Sequence, residues 1–302
     1  MNLTPEMRFS INQEISRRGS VFRRRISRLR QERAAPTQLV MLAHGDSWFD
    51  YPLDGNKVSL DGSTDIIRQL DPTSVNDENA LSFRANELPC TIHNVSHWGY
   101  ATTDEMSRQG QQDIVDALNN YWKPLGQKPD AILFSGGGND IIGDQFAIYL
   151  DYAPPATGIG LNEERFEGAL ARVEASYKSL FAFRDKYIGH DVLIFGHCYD
   201  FAIPNGIGAP CGVGPWLQPS LEYCGYKDLN AGRMIVKSAL EKFRQRLKGL
   251  EGNVNNFYVV ETQGTLTDDS LWGNELHPTS TGFAQIAEKF RDALRIHFPS
   301  RI

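Results

Sequence analysis

Four short blocks in this 302-residue chain hold side chains that can move protons or present N–H donors. The first is His44-Gly45-Asp46-Ser47-Trp48-Phe49-Asp50-Tyr51-Pro52. A glycine before a serine lets the backbone turn sharply and expose the hydroxyl. The second is Asn94-Val95-Ser96-His97-Trp98-Gly99, whose last residue can offer a bare backbone N–H to an incoming oxygen. The third, Ser135-Gly136-Gly137-Gly138-Asn139-Asp140, places an amide side chain after a glycine run. The fourth is Asn274-Glu275-Leu276-His277-Pro278-Thr279, where proline suits the first turn of a helix and histidine is held just before it.

Together these types describe acyl transfer. A serine hydroxyl is a weak nucleophile until a base takes its proton. His277 is the candidate base, and it can return the proton to the leaving group. The N–H of Ser47, the N–H of Gly99 and the side-chain amide of Asn139 are candidate donors to the oxyanion of a tetrahedral intermediate. Other uses of the glycine run are poorly supported. No GxxxxGK phosphate loop is present, and no GxGxxG opens a helix, so neither a nucleotide site nor any cofactor is expected. The four cysteines Cys90, Cys198, Cys211 and Cys224 form no CxxC pair, and no metal site is expected. Cys211 and Cys224 flank one Gly/Pro-rich loop; pairing and free thiols both stay open.

Short apolar runs precede these blocks: Gln38–Ala43, Thr91–Val95, Ala131–Phe134, Val192–Phe195 and Phe257–Val260. Continuous runs of this length suit strands buried on both faces. Helical spacing lies between them, through Met106, Ile114, Leu118 and Tyr121, then Leu170–Leu180, Ile235–Leu247 and Phe283–Leu294. Strand–helix alternation predicts a parallel sheet covered by helices on both faces. Ligands of such sheets bind beyond the carboxyl ends of the strands, where these blocks fall. Two long irregular stretches, 149–162 and 199–226, leave the same edge. The second carries Phe201, Trp216, Tyr223 and Tyr226, either facing an apolar or sugar substrate or packing the loop itself.

In order and content the blocks resemble the SGNH (GDSL) hydrolase superfamily, from about residue 38 to the C-terminus. The matching residues are Gly45-Asp46-Ser47, then Gly99, then Gly137-Gly138-Asn139-Asp140, then His277-Pro278. The resemblance implies a flavodoxin-like three-layer α/β/α sandwich on a five-stranded parallel sheet. It also implies a serine hydrolase cleaving carboxylic esters, as an esterase or lipase, a thioesterase or a glycan deacetylase. The expected substrate is thus a small-molecule or glycan ester. One departure stands out: the family places Asp three residues before the histidine, where this chain has Asn274. The partner that orients His277 is therefore open between Asn274 or a backbone carbonyl, Glu275 as second choice, and Asp268 or Asp269. The weakened triad also leaves open a catalytically weak binding or interaction protein on the same fold.

The chain divides into a basic helical arm, 1–36, and a catalytic domain, 37–302. Residues 1–37 hold nine Arg and three Glu, so the arm is strongly positive and the rest carries −12 of the net −6. Val21, Phe22, Ile26 and Leu29 mark a narrow apolar stripe on this helix. Its partner could be an anionic surface, another copy of the chain, or the acidic body itself. Nucleic acid is not expected. No apolar run approaches the roughly 20 residues of a membrane span, and no secretory leader is visible. The expectation is a cytoplasmic protein, with non-classical export left open.

Overall fold

Five strands form one all-parallel sheet in the order β2-β1-β3-β4-β5. They are β1 (Leu39–Gly45), β2 (Cys90–Asn94), β3 (Ala131–Ser135), β4 (Leu193–His197) and β5 (Phe257–Val260). This computed structural model describes residues 5–31, 38–52, 65–71, 90–155, 158–209 and 212–301. Nearly every strand residue is buried, as the continuous apolar runs require of a sheet covered on both sides. The strand order is the flavodoxin-like one, whose chain reversal lies between β1 and β3.

Side chains of β4 show the layers. Phe195 and His197 point toward α9 (Ser280–His297), where they meet His297 and Phe290. The intervening Gly196 faces Tyr177 of α6 (Glu163–Tyr187) on the other side. Helix α6 packs with α8 (Leu229–Lys248), α3 (Thr102–Glu105) and α5 (Gly138–Ile141), while α2 (Ile66–Leu70) packs with α9. The result is a three-layer α/β/α sandwich.

Two expectations need correction. The spacing of Met106, Ile114, Leu118 and Tyr121 suggests one helix, but the chain breaks at Ser107. That residue has extended backbone, and its Oγ accepts the Gly110 N–H at 3.1 Å, starting α4 (Arg108–Ala117) afresh. A π-helical turn, Leu118–Trp122, then continues it. The 199–226 stretch is not wholly irregular either: it contains α7 (Gln218–Tyr223). Pairing of Cys211 with Cys224 lies outside the described residues; Cys224 itself is buried.

Helix α1 (Pro5–Gln31) is longer than the basic stretch suggests and lies along β2 and the π-helical turn. Phe22, Ile26 and Leu29 join the same core as the sheet. Each such side chain contributes about 1.5–3 kcal/mol when buried. Some of the arm's charge turns inward. Arg25 pairs with buried Asp71 at 2.7 Å. Arg18, 7% exposed, donates to Asp50 at 2.6 Å and to the Ser96 carbonyl at 3.3 Å. Asp50 belongs to the first block and Ser96 to the second, so the helix clamps two loops of the sheet's carboxyl edge. Removing one member of a buried pair strands the other charge, at a cost of about 3–5 kcal/mol. Arg18→Met is therefore expected to lower unfolding stability by that amount in urea titration. A loss below about 1 kcal/mol would show that the helix is not docked in this way. Among the described residues no helix is long and apolar enough to cross a membrane.

Candidate active site

The four blocks leave β1, β2 and β3 and enter α9, so all meet at one end of the sheet. The chain can turn after β1 only because residue 45 lacks a side chain. A Cβ on Gly45 would lie 2.5 Å from the Ser135 carbonyl of the neighbouring strand. The Asp46 carbonyl then accepts the N–H groups of Phe49 and Asp50, closing a helical turn that lifts Ser47 to the surface of the site. After β3, Gly137 adopts φ 118° against the Phe243 ring, where any side chain would clash. This turn starts α5 and carries Asn139 and Asp140 to the edge.

Ser47 Oγ lies 2.7 Å from His277 Nε2, bridging 230 positions of sequence. On the other side of the ring, Nδ1 lies 3.0 Å from Asn274 Oδ1. The orientation of that amide is decided by its neighbours. The same Oδ1 accepts the backbone N–H groups of Leu276 (3.0 Å) and His277 (2.9 Å), which can only donate. The amide nitrogen donates to the Tyr51 hydroxyl at 3.2 Å. Nδ1 must then carry the imidazole proton, which leaves Nε2 free to accept from Ser47. Burial holds the ring pKa down to about 3, so it is neutral at pH 7.

Glu275 faces away from the ring. Its carboxylate accepts four backbone N–H groups, from Gly206, Trp216, Leu217 and Gln218, at 2.5–3.0 Å. It ties the 199–226 loop to the histidine turn and sets Trp216 edge-on against His277, with ring centroids 5.7 Å apart. Asp268 caps Ser270, and Asp269 pairs with Arg233; both are exposed and point elsewhere.

The geometry supports a pH test. Asn274 offers an acceptor without charge. Asn274→Asp should fit, since the Tyr51 hydroxyl can donate to the second oxygen. A carboxylate beside the ring favours imidazolium and raises its pKa. Because only the neutral ring can accept a proton, the acid limb of kcat/KM should move to higher pH. Glu275→Gln should leave that limb in place and cost about 1–3 kcal/mol of stability, because an amide nitrogen cannot accept from the loop N–H groups. A limb shifted by Glu275→Gln and untouched by Asn274→Asp would reverse the assignment.

Two of the candidate oxyanion donors, Ser47 and Asn139, line one pocket, and Asn139 bonds to the loop that carries Gly99. Among the described residues neither the Ser47 N–H nor the Gly99 N–H has a hydrogen-bond partner. Asn139 Nδ2 donates one proton to the Tyr100 carbonyl at 2.9 Å and keeps a second. Asp140 accepts both the N–H (2.8 Å) and the hydroxyl (2.9 Å) of Thr102. The third block thus holds the loop that carries Gly99.

Several supporting contacts were not legible in the sequence, though Asp46, Trp48 and Ser135 lie within the blocks. Asp46 accepts from Ser135 Oγ and the Tyr199 hydroxyl, each at 2.6 Å, and from the Trp48 N–H at 3.0 Å. Burial raises its pKa to about 6. Ser135 in turn accepts from His197 Nε2 at 2.8 Å, because His197 Nδ1 is occupied by the Tyr199 N–H at 3.2 Å. These three side chains are at most 2% exposed, and the grouping braces the nucleophile turn. Trp48 Nε1 donates to the Leu276 carbonyl at 3.1 Å, stapling the serine loop to the histidine loop. The flanking Asp46 and Trp48 were the available signal, but their side-chain partners across the fold lie 89 or more positions away.

A flavodoxin-like sheet with these four blocks at its carboxyl edge sets the architecture. No family model matches the chain, and no curated protein matches it in sequence. Solved structures do match. An extracellular lipase from Streptomyces rimosus is 15% identical, over 84% of this chain and 99% of that one, with a TM-score of 0.49. A phospholipase A1 from Streptomyces albidoflavus NA297 is 14% identical over 84% and 98%, with a TM-score of 0.47. An acetyl xylan esterase variant from Geobacillus stearothermophilus is 17% identical over 85% and 93%, with a TM-score of 0.40. These are remote likenesses of fold, and none assigns an activity.

Proposed function

We propose that this SGNH-like chain hydrolyses carboxylic esters. The observation that carries the reading is the continuous line Ser47 Oγ–His277 Nε2, His277 Nδ1–Asn274 Oδ1, at 2.7 and 3.0 Å. In this reading His277 removes the Ser47 proton as Oγ attacks the ester carbonyl. The N–H groups of Ser47, Gly99 and Asn139 receive the oxyanion. The tetrahedral intermediate collapses, the alcohol leaves with the proton from His277, and an acyl-serine remains. Water, deprotonated by the same ring, attacks the acyl carbon; the acid departs and Ser47 regains its proton. Asn274 fixes the tautomer without adding charge, so the base is weaker than one backed by a carboxylate.

A fluorophosphonate probe tests the proposal. Mass spectrometry should find one adduct per chain on Ser47 and none in Ser47→Ala. Intact folded protein that takes up no probe and cleaves no ester would favour a binding protein on this fold instead.

A further inference from the structure

Beside Ser47 and Asn139 lies a small, largely apolar pocket. Leu240 of α8, Ile142 at the end of α5, Ala202 after β4, Trp48 and Tyr199 supply its apolar lining, and Asp46, Asn139 and Asp200 also border it. The five side chains of the apolar lining are at most 9% exposed. The cavity measures about 30 Å³. A single water needs about 10–15 Å³, so the recess itself holds about two small groups.

Part of the lining is fixed. The Tyr199 hydroxyl is held by Asp46 at 2.6 Å, and the Trp48 indole by the Leu276 carbonyl at 3.1 Å. Tyr199 sits at φ 54°, an unusual backbone for a bulky residue, and its N–H is also bonded. Leu240 lies within the long helix α8. Neither Trp48 nor Tyr199 can swing aside without losing these bonds.

Chemistry assigns the pocket to one side of the ester. The alcohol must depart before water can attack, so its side must open to solvent. The acyl group stays bonded to Ser47 through both steps and can occupy an enclosed space. We infer that this pocket is an acyl subsite sized for acetyl or propionyl groups, which rejects longer chains. The inference rests on the ester-hydrolase reading above.

The experiment first confirms fluorophosphonate labelling of Ser47, then measures kcat/KM on p-nitrophenyl acetate, butyrate and octanoate. In a hydrophobic pocket one misfit methylene changes kcat/KM by about 10- to 200-fold. Acetate should therefore exceed octanoate by at least about 100-fold. Leu240→Ala and Ile142→Ala enlarge the pocket from two independent elements. Each should cut that preference about 10-fold or more, mainly by raising octanoate turnover. Whichever variant folds serves as the test. A labelled enzyme that cleaves octanoate as well as acetate overturns the subsite while leaving the hydrolase reading standing. So does a folded variant pair with the wild-type preference. Absence of labelling and turnover overturns the hydrolase reading, and the subsite with it.

Discussion

Ser47→Ala is expected to abolish ester turnover while the protein stays folded. Loss of a nucleophile in a serine centre costs about 10⁴-fold or more in kcat. The Ser47 side chain is partly exposed and, among the described residues, its only side-chain hydrogen bond is to His277, so the fold loses little. His277→Ala should fall about as far, because base and nucleophile act as one unit. The double variant should then be scarcely worse than either single one. Initial rates on p-nitrophenyl acetate, with thermal unfolding as control, check this. A folded Ser47→Ala protein retaining near wild-type rates would remove Ser47 from the reaction.

Asn139→Ala should lower kcat by about 100- to 1,000-fold with little change in KM. The amide contributes most when negative charge has moved onto the carbonyl oxygen, so the loss falls on the transition state. Asn139 also donates to the Tyr100 carbonyl, two positions from Thr102 and one from Gly99. The Asp140–Thr102 bonds remain in the variant and keep the Gly99 loop anchored. Steady-state kinetics on a short-chain ester separate the outcomes. A change confined to KM would make Asn139 a substrate-binding group and empty the proposed oxyanion hole of its side-chain donor.

Much of the fold was legible because local patterns carried it. Buried parallel strands need unbroken apolar runs, and all five runs became strands within a few residues of the expected bounds. The spacing of Leu170–Leu180, Ile235–Leu247 and Phe283–Leu294 marked α6, α8 and α9, whose apolar faces are continuous. Apolar spacing failed between 106 and 121 because a side-chain cap, Ser107 Oγ on Gly110 N–H, outweighs a pattern blind to hydrogen bonds. The candidate serine, histidine, glycine and asparagine could be named in sequence because each sits at a strand or helix end beside Gly or Pro, whose backbone demands are visible in one dimension.

The sequence by itself determined a parallel α/β chain with Ser47, Gly99, Asn139 and His277 at its turns. It could not separate Asn274 from Glu275, because adjacent residues in a turn point to different sides and composition does not say which. Tertiary structure decided that: two backbone N–H groups hold the Asn274 oxygen toward the ring, while four loop N–H groups hold the Glu275 carboxylate away from it. It likewise turned Arg18 inward onto Asp50 and closed the pocket beside Ser47 with Leu240 and Ile142. Except for the local turn that holds Asn274, these are contacts between residues tens to hundreds of positions apart. Their existence depends on how the layers pack, which no local pattern records.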